Sequence, residues 1–325
     1  MIPSAVNRRS VLIALRYGAT LFVAMTVSLR CIGCCAADPG DSKRYVIIHA
    51  DDAGMCHSVN RATIDAMEQG IVSSASIMVP CPWFKEFAAY AKTHPERDFG
   101  IHLTLNSEWD NYRWGPVAGK TQAPSLVDPE GYLWDNVAQV VQHAKVEDVQ
   151  TELRAQIQRA LDFGVPLTHL DTHMGALVSR PDLIEAYVNV GVEFNLPVFY
   201  LRNLGDEVLD ANVLTRARSL VPTLEKHKLP ILDFMTQLYT NGSFDDKRDR
   251  YLEAITKTGP GVRYVIIHCG YDDAELQAVT ASSKRRDTDR RVFMNADFIR
   301  AVKESGVEVV TWKQVRAMYD NRTAK

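Results

Sequence analysis

The sequence predicts an α/β fold, an irregular (β/α) barrel with about seven to eight parallel strands. Short β-branched runs alternate with amphipathic segments from residue 44 onward. Runs such as Tyr-Val-Ile-Ile at 45–48 are continuously apolar, which is typical of parallel strands that are covered on both faces. About eight such repeats fit a barrel, and a doubly wound open sheet is the alternative.

The predicted elements follow one another in regular alternation. Strands are predicted at residues 45–49, 72–79, 100–105, 167–171, 198–201, 231–234, 262–268 and 308–311. Helices are predicted at residues 58–69, 83–93, 151–163, 181–195, 212–227, 245–257 and 295–305. Ser58 suits a helix N-cap, Gly70 suits a helix end, and Pro181 suits a first helical turn.

Residues 38–325 contain no linker, so we expect them to form a single domain. A long insertion near residues 106–149, rich in Trp, Tyr, Gly and Pro, follows the third predicted strand. Because loops that follow barrel strands lie at the catalytic face, this insertion is expected to form a lid or wall over a substrate.

The composition excludes several classes of protein. Of 325 residues, 46% are hydrophobic and 24% are charged, which is typical of a globular chain. The formal net charge is −3, so no basic surface indicates binding to nucleic acid. The single long apolar stretch lies at the N-terminus, which excludes a membrane protein with several spans.

Residues 1–37 resemble an export signal. Arg8 and Arg9 precede a mostly apolar run at 11–29, and small residues follow it. We therefore expect a periplasmic or extracellular protein, with a membrane anchor or a lipoprotein lipidated at Cys34 as alternatives. Beyond this segment lie Cys56, Cys81 and Cys269, and an oxidising compartment would permit one disulfide among them.

Acidic and imidazole side chains occur where several predicted strands end. Asp51 and Asp52 follow the first strand, and His102 lies in the third. The motif 169–173, His-Leu-Asp-Thr-His, ends the fourth strand, and His268 ends the seventh. The carboxyl ends of barrel strands converge at one mouth, where barrel enzymes place their chemistry.

This pattern predicts a site with two histidines and one carboxylate on a divalent metal ion. In such a site Asp52 would bind the ion and Asp51 would stay free as a base, while Asp171 could accept the ring N–H of a ligand histidine. Each residue also has a structural interpretation. The acidic pair could cap a helix, and His102 or His169 could be a hydrogen-bonded core histidine. His49 and His57 are expected to be structural or to lie behind the ligands.

In their order along the chain, these motifs resemble the YdjC-type carbohydrate deacetylases. The motifs are Ala-Asp-Asp-Ala-Gly at 50–54, Gly-Ile-His-Leu at 100–103, the motif 169–173, and His-Cys-Gly-Tyr at 268–271. Ala53 stands where the family usually has Phe, Met174-Gly175 where it often has further histidines, and Cys269 where it usually has Pro. These three departures bear on the identity of the substrate.

The resemblance implies an irregular (β/α) barrel like that of the polysaccharide deacetylases. It also implies one divalent metal ion and the removal of acetyl groups from N-acetylated sugars. One aspartate and two histidines suit zinc, magnesium, manganese or cobalt, of which magnesium or zinc is expected. The resemblance assigns Asp52, His102 and His173 as metal ligands. Asp51 becomes the general base and His268 the general acid.

Other interpretations stay open at this point. The aromatic residues of the insertion (Trp109, Tyr112, Trp114, Tyr132 and Trp134) suit stacking on sugar rings or packing of the loop against the barrel. Arg285, Arg286 and Arg290 are expected to form a solvated charged helix start, with orientation of active-site carboxylates or contact with an anionic substrate as alternatives. Another metal-dependent amidohydrolase, a phosphoester hydrolase and a non-catalytic carbohydrate-binding barrel are the alternative functions. The sequence does not determine the oligomeric state, for which a homodimer is one alternative.

Overall fold

The structure, a computed structural model, describes residues 42–202 and 210–322. Seven strands form one sheet, β1 to β7, at Arg44–Ala53, Ser74–Ile77, Phe99–Leu103, Leu167–Thr172, Phe234–Gln237, Gly261–Ile267 and Glu308–Val309. Every pairing between these strands is parallel, in the order β4-β3-β2-β1-β6-β5, and β7 pairs with β1. The α/β class and the parallel sheet that the sequence predicts are therefore confirmed.

Two isolated bridges connect the ends of this strand order into an irregular barrel. Val198 pairs with Leu170 of β4, and Leu201 pairs with Leu232, just before β5. Segment 198–201, predicted as a strand, forms no ladder because it passes from one neighbour to the other within four residues. The predicted strand at 231–234 likewise gives way to β5, which begins at Phe234.

Eleven α-helices are present in the parts of the chain that the structure describes. They are α1 to α11, at His57–Glu68, Phe84–Thr93, Val137–His143, Val146–Asp162, Pro181–Phe194, Ala211–Lys226, Phe244–Thr256, Ala274–Val279, Ser283–Phe293, Ala296–Glu304 and Trp312–Arg322. The sequence did not predict α3, α8 and α11, and it suggested only a charged helix start at α9. The sequence of α9, SKRRDTDRRVF, is apolar only at its last two residues, so it carries no amphipathic period.

Side chains alternate between two layers along each strand, as the pleat requires. In β1, Val46, Ile48 and Ala50 pack in the larger hydrophobic cluster, which includes helix residues such as Phe87 and Phe298. Tyr45 and Ile47 belong to a second cluster that also contains Tyr264, Ile266 and Trp312. Continuing each alternation toward the carboxyl end places His49 and Asp51 on the side of the second cluster. The barrel interior therefore changes from apolar to ionisable as it approaches the carboxyl ends of the strands.

Cys56, Cys81 and Cys269 are buried free thiols, so the disulfide that an oxidising compartment would permit is not formed. No helix within 42–202 or 210–322 combines the length and the apolar character needed to cross a membrane. The expected export signal and the lipidated Cys34 lie outside the described residues and stay predictions.

Gly100→Ala tests the packing of the barrel interior. A Cβ at position 100 would meet the ring of His169, which is fully buried and stacks on Trp312 at 5.1 Å. We expect the free energy of unfolding, measured by urea denaturation, to fall by about 1–3 kcal/mol. In a His169→Ala background the same change should cost almost nothing, because the ring is gone. An equal loss in both backgrounds would contradict this packing argument.

Candidate functional site

The five residues that the sequence singles out lie close together at the carboxyl ends of the strands. Asp52 Oδ1 is 3.4 Å from His102 Nε2 and 3.4 Å from His173 Nδ1. His268 Nε2 lies 3.8 Å from Asp51 Oδ2 and 4.0 Å from Asp52 Oδ2. All five side chains are buried. The chain thus brings residues from β1, β3, the turn after β4 and the end of β6 to one place.

A local distortion of β1 allows two adjacent carboxylates to face the same cavity. Successive residues of a regular strand point to opposite faces, so Asp51 and Asp52 would normally diverge. Asp52 instead has a φ of +68°, and the register between β1 and β2 shifts between Ala50 and Ala53. Aspartate tolerates this left-handed conformation better than most residues, and such strain occurs preferentially at functional sites.

The two histidines near Asp52 are each held by a second carboxylate. His102 Nδ1 donates a hydrogen bond to Asp171 Oδ1 at 2.6 Å. His173 Nε2 lies 3.0 and 3.1 Å from the two carboxylate oxygens of Glu108. These contacts direct the remaining nitrogen of each ring toward Asp52, which is the arrangement usual for metal-ligating histidines. The sequence anticipated such a role for Asp171 but did not indicate Glu108.

The distances around Asp52 fit a divalent ion. Asp52 Oδ1 is buried and has no hydrogen-bond partner in the described part of the chain. Ligand atoms about 2.1 Å from a tetrahedrally coordinated ion lie about 3.4 Å apart, which matches both oxygen-to-nitrogen distances. Two other groups of three ligand-type residues lie nearby, and both of them include Asp171. Both oxygens of Asp171 are already engaged, by His102 at 2.6 Å and by His49 at 2.9 Å.

Arg286 is buried and paired with Asp52, so the expectation that it belongs to a solvated charged helix start is wrong. Its side chain is 5% exposed, and its Nη2 lies 2.7 Å from Asp52 Oδ2. Burial opposes the charged form of Asp52, but Arg286 and the neighbouring histidine rings together outweigh it and hold the pKa of Asp52 well below its usual range. The structure shows Arg286 paired with a carboxylate of the candidate site, which fits the alternative that the sequence left open.

Helix α9 also holds the strand end that carries His268. Asp289 Oδ2 accepts a hydrogen bond from the backbone N–H of His268 at 3.3 Å, and its other oxygen pairs with the fully buried Lys247. Tyr239 places its hydroxyl 3.2 Å from His268 Nε2. Burial lowers the pKa of His268 to about 4, so the ring is neutral near pH 7.

His49 and His169 lie deeper in the barrel, behind the candidate ligands. His49 Nε2 is 2.9 Å from Asp171 Oδ2 and 3.2 Å from Asp51 Oδ1. Burial would lower its pKa, but the contacts with these two carboxylates raise it to about 9. His49 therefore supplies a positive charge between two acids. His169 is neutral, because burial lowers its pKa, and it acts as a core residue.

A cavity of about 540 Å³ opens onto this cluster. Besides the site residues, its walls include Trp109, Tyr200, Met235, Gln237 and Arg285. Of the five aromatic residues in the insertion, Trp109 alone is among the described residues that line the cavity. Trp114 is buried in the core, the Tyr112 hydroxyl donates to Met55 O, and Trp134 stacks on His143 at 4.1 Å. Tyr112 and Trp114 therefore pack the loop against the barrel, whereas Trp134 packs within the insertion.

Arg286→Met should destabilise the metal-free protein. The change leaves Asp52 buried without its cation, and breaking a buried pair in this way costs about 3–5 kcal/mol. Urea denaturation in the presence of a chelator measures this loss, and Arg286→Lys should lose less because it keeps the charge. Arg285→Met, at a neighbouring and more exposed arginine, is the matched control. Equal losses for the Met variants at 285 and 286 would contradict the assignment.

Comparison with known proteins finds relatives over most of this chain. A model of the YdjC-like protein family matches residues 45–304. The chain is 25% identical to a carbohydrate deacetylase of Thermoanaerobacter pseudethanolicus, covering 81% of this chain and 96% of the relative. It is 28% identical to a carbohydrate deacetylase of Thermus thermophilus, covering 84% of this chain and 94% of the relative.

A solved structure shows the same fold. The crystal structure of an Enterococcus faecalis protein, assigned to cellobiose-phosphate cleavage, superposes with a TM-score of 0.72 at 21% identity. The match covers 84% of this chain and 99% of that chain. Because the family model spans most of the barrel, from β1 to the end of α10, the chain belongs to the YdjC-like family.

Proposed function

We propose that the protein is a metal-dependent hydrolase that removes acetyl groups from N-acetylated sugars. One observation carries the proposal: an unpartnered carboxylate oxygen of Asp52 faces one nitrogen of each of two histidines, with Asp51 and His268 beside it. Relatives that align over more than four-fifths of this chain are named carbohydrate deacetylases, which supports a sugar substrate. The cavity beside the cluster offers space for such a substrate.

Asp52, His102 and His173 would hold the ion. One carboxylate and two imidazoles suit zinc, and magnesium is the alternative that we retain. When bound, a divalent ion at this point polarises an amide carbonyl and lowers the pKa of an adjacent water molecule. Arg286 keeps Asp52 ionised and occupies its other oxygen, so Asp52 would offer a single oxygen as a ligand.

Asp51 would act as the general base. It lies next to Asp52 in the chain, yet it does not belong to the group of three ligand atoms formed by Asp52, His102 and His173. Its Oδ2 lies 3.8 Å from both His102 Nε2 and His268 Nε2, at the lining of the cavity. His49 holds the other oxygen, Oδ1, at 3.2 Å. Asp51 can therefore remove a proton from the water that attacks the carbonyl carbon.

His268 would return a proton to the departing sugar amine, because an amide nitrogen leaves poorly unless it is protonated. Its lowered pKa means that the free protein holds a neutral ring, so His268 must gain a proton before it donates one. Asp51, 3.8 Å away, is placed to supply the proton that it took from water. The Tyr239 hydroxyl, 3.2 Å from Nε2, holds the ring in the cavity wall.

Acetate release from N-acetylglucosamine oligomers tests the proposed function. We expect release by the purified protein, its loss after treatment with a chelator, and recovery when Zn²⁺ or Mg²⁺ is returned. A protein that binds metal but releases no acetate would favour another amidohydrolase or a phosphoester hydrolase. Sugar binding without metal or hydrolysis would favour a non-catalytic carbohydrate-binding barrel.

Adjacent aspartates allow a matched test of the two roles. Asp51→Asn should keep its metal content and lower kcat by about 10²–10⁴-fold, because general base catalysis is lost. Asp52→Asn should lose metal first and activity as a consequence, and His102→Ala should do the same. Metal analysis beside steady-state kinetics separates the two outcomes. Undiminished turnover by Asp51→Asn would remove Asp51 from the role of base.

A further inference from the structure

The insertion after β3 carries an acidic residue, Glu108, whose position is fixed by its neighbours. Ser107, the preceding residue, donates its backbone N–H to Trp134 O at 2.8 Å. The Ser107 hydroxyl accepts hydrogen bonds from the Trp114 backbone N–H at 3.0 Å and from Arg113 Nε at 3.2 Å. Asn106 pairs with Trp134 in an isolated bridge. Glu108 therefore extends from an anchored stretch of backbone.

The carboxylate of Glu108 is directed at a single ring nitrogen. Its Oε1 and Oε2 lie 3.0 and 3.1 Å from His173 Nε2, and Asn106 Nδ2 donates to Oε2 at 3.1 Å. The Glu108 side chain is 17% exposed and lines the cavity, while His173 is 5% exposed. Because a carboxylate only accepts hydrogen bonds when ionised, this contact keeps the proton on Nε2 and leaves Nδ1 toward Asp52.

Glu108, which lies on a loop, supports His173 in the same way as Asp171 of β4 supports His102. Asp171 in β4 accepts from His102 Nδ1 and leaves Nε2 facing Asp52 Oδ1 at 3.4 Å. Glu108 accepts from His173 Nε2 and leaves Nδ1 facing the same oxygen at 3.4 Å. The two rings thus present opposite nitrogens to one point, and each needs its own carboxylate to do so.

We propose that Glu108 is the positioning residue for His173, so that the insertion completes the metal site in addition to walling the cavity. This inference rests on the proposed function, since it assumes that His173 binds an ion through Nδ1. Trp109, the next residue, lines the same cavity. One short stretch of the insertion therefore supplies both a support for a ligand and a ring in the wall that faces the substrate.

Zn²⁺ affinity of the chelator-stripped full chain tests the inference. Removal of a carboxylate behind a metal-ligating histidine weakens metal binding by about 10–100-fold, and we expect that loss for Glu108→Gln. Glu108→Asp should lose less, because it keeps the charge on a shorter arm. Asp110→Asn, an exposed carboxylate on the same loop, is the matched control and should stay within about twofold of the wild type. Isothermal titration calorimetry gives the dissociation constants independently of turnover.

A double-variant cycle separates positioning from a general effect of charge. In a His173→Ala background, Glu108→Gln should weaken Zn²⁺ binding no further, because the ring through which it acts is absent. A further loss of tenfold or more in that background would overturn the inference, as would wild-type affinity in the Glu108→Gln single variant. Zn²⁺ binding without acetate release by the wild type would overturn the proposed function alone, since the affinities still decide the role of Glu108. Absence of Zn²⁺ binding by the wild type would overturn both.

Discussion

The burial of three carboxylates at one end of the barrel is the constraint on which the rest of the site depends. Asp51, Asp52 and Asp171 are each at most 6% exposed, and a buried charge without a partner costs several kcal/mol. Arg286 compensates Asp52, and His49 lies between Asp51 and Asp171. Two buried oxygens of these carboxylates, Asp51 Oδ1 and Asp52 Oδ1, have no hydrogen-bond partner in the described part of the chain. Asp51 Oδ1 faces His49 Nε2 at 3.2 Å, whereas Asp52 Oδ1 faces two histidine nitrogens at 3.4 Å each. Asp52 Oδ1 is therefore the oxygen to which the proposed ion would bind.

Strand alternation explains how much of this site the sequence could predict. An apolar run followed by His and Asp at alternate positions, as at residues 49 and 51 or 169 and 171, places these side chains on one face. The predicted barrel then implied that the carboxyl ends of the strands lie close together, and the structure agrees on both points. What alternation could not predict is that the adjacent Asp51 and Asp52 both face the cavity. That depends on the left-handed backbone at Asp52, which no periodicity in the sequence reveals.

A different physical reason explains why Glu108 was not predicted and why the pairing of Arg286 with an acidic residue was only an alternative to a solvated helix start. Both lie outside the strands, and both act through contacts between residues far apart in the chain, so local periodicity carries no signal for them. Arg286 and Asp289 are three residues apart and therefore share one face of α9. In the sequence, that spacing was the available indication that these two charged side chains act together. For Glu108 the indication was weaker, because Glu108 is one of several acidic residues in a long loop that follows the strand containing His102.

Helix α9 couples the two halves of the site through one face. Arg286 holds Asp52 on the side of the candidate ligands, while Asp289 holds the backbone of His268 on the side of the candidate acid. Arg285 lies over the ring of Tyr239 at 5.1 Å, and the Tyr239 hydroxyl reaches His268 Nε2. Because a helix is stiff over one turn, these contacts fix the separation between Asp52 and His268 more firmly than two independent loops would. The positions of Arg286 and Asp289 in α9 thus set the positions of Asp52 and His268. The helix itself contributes neither a candidate ligand nor a candidate acid.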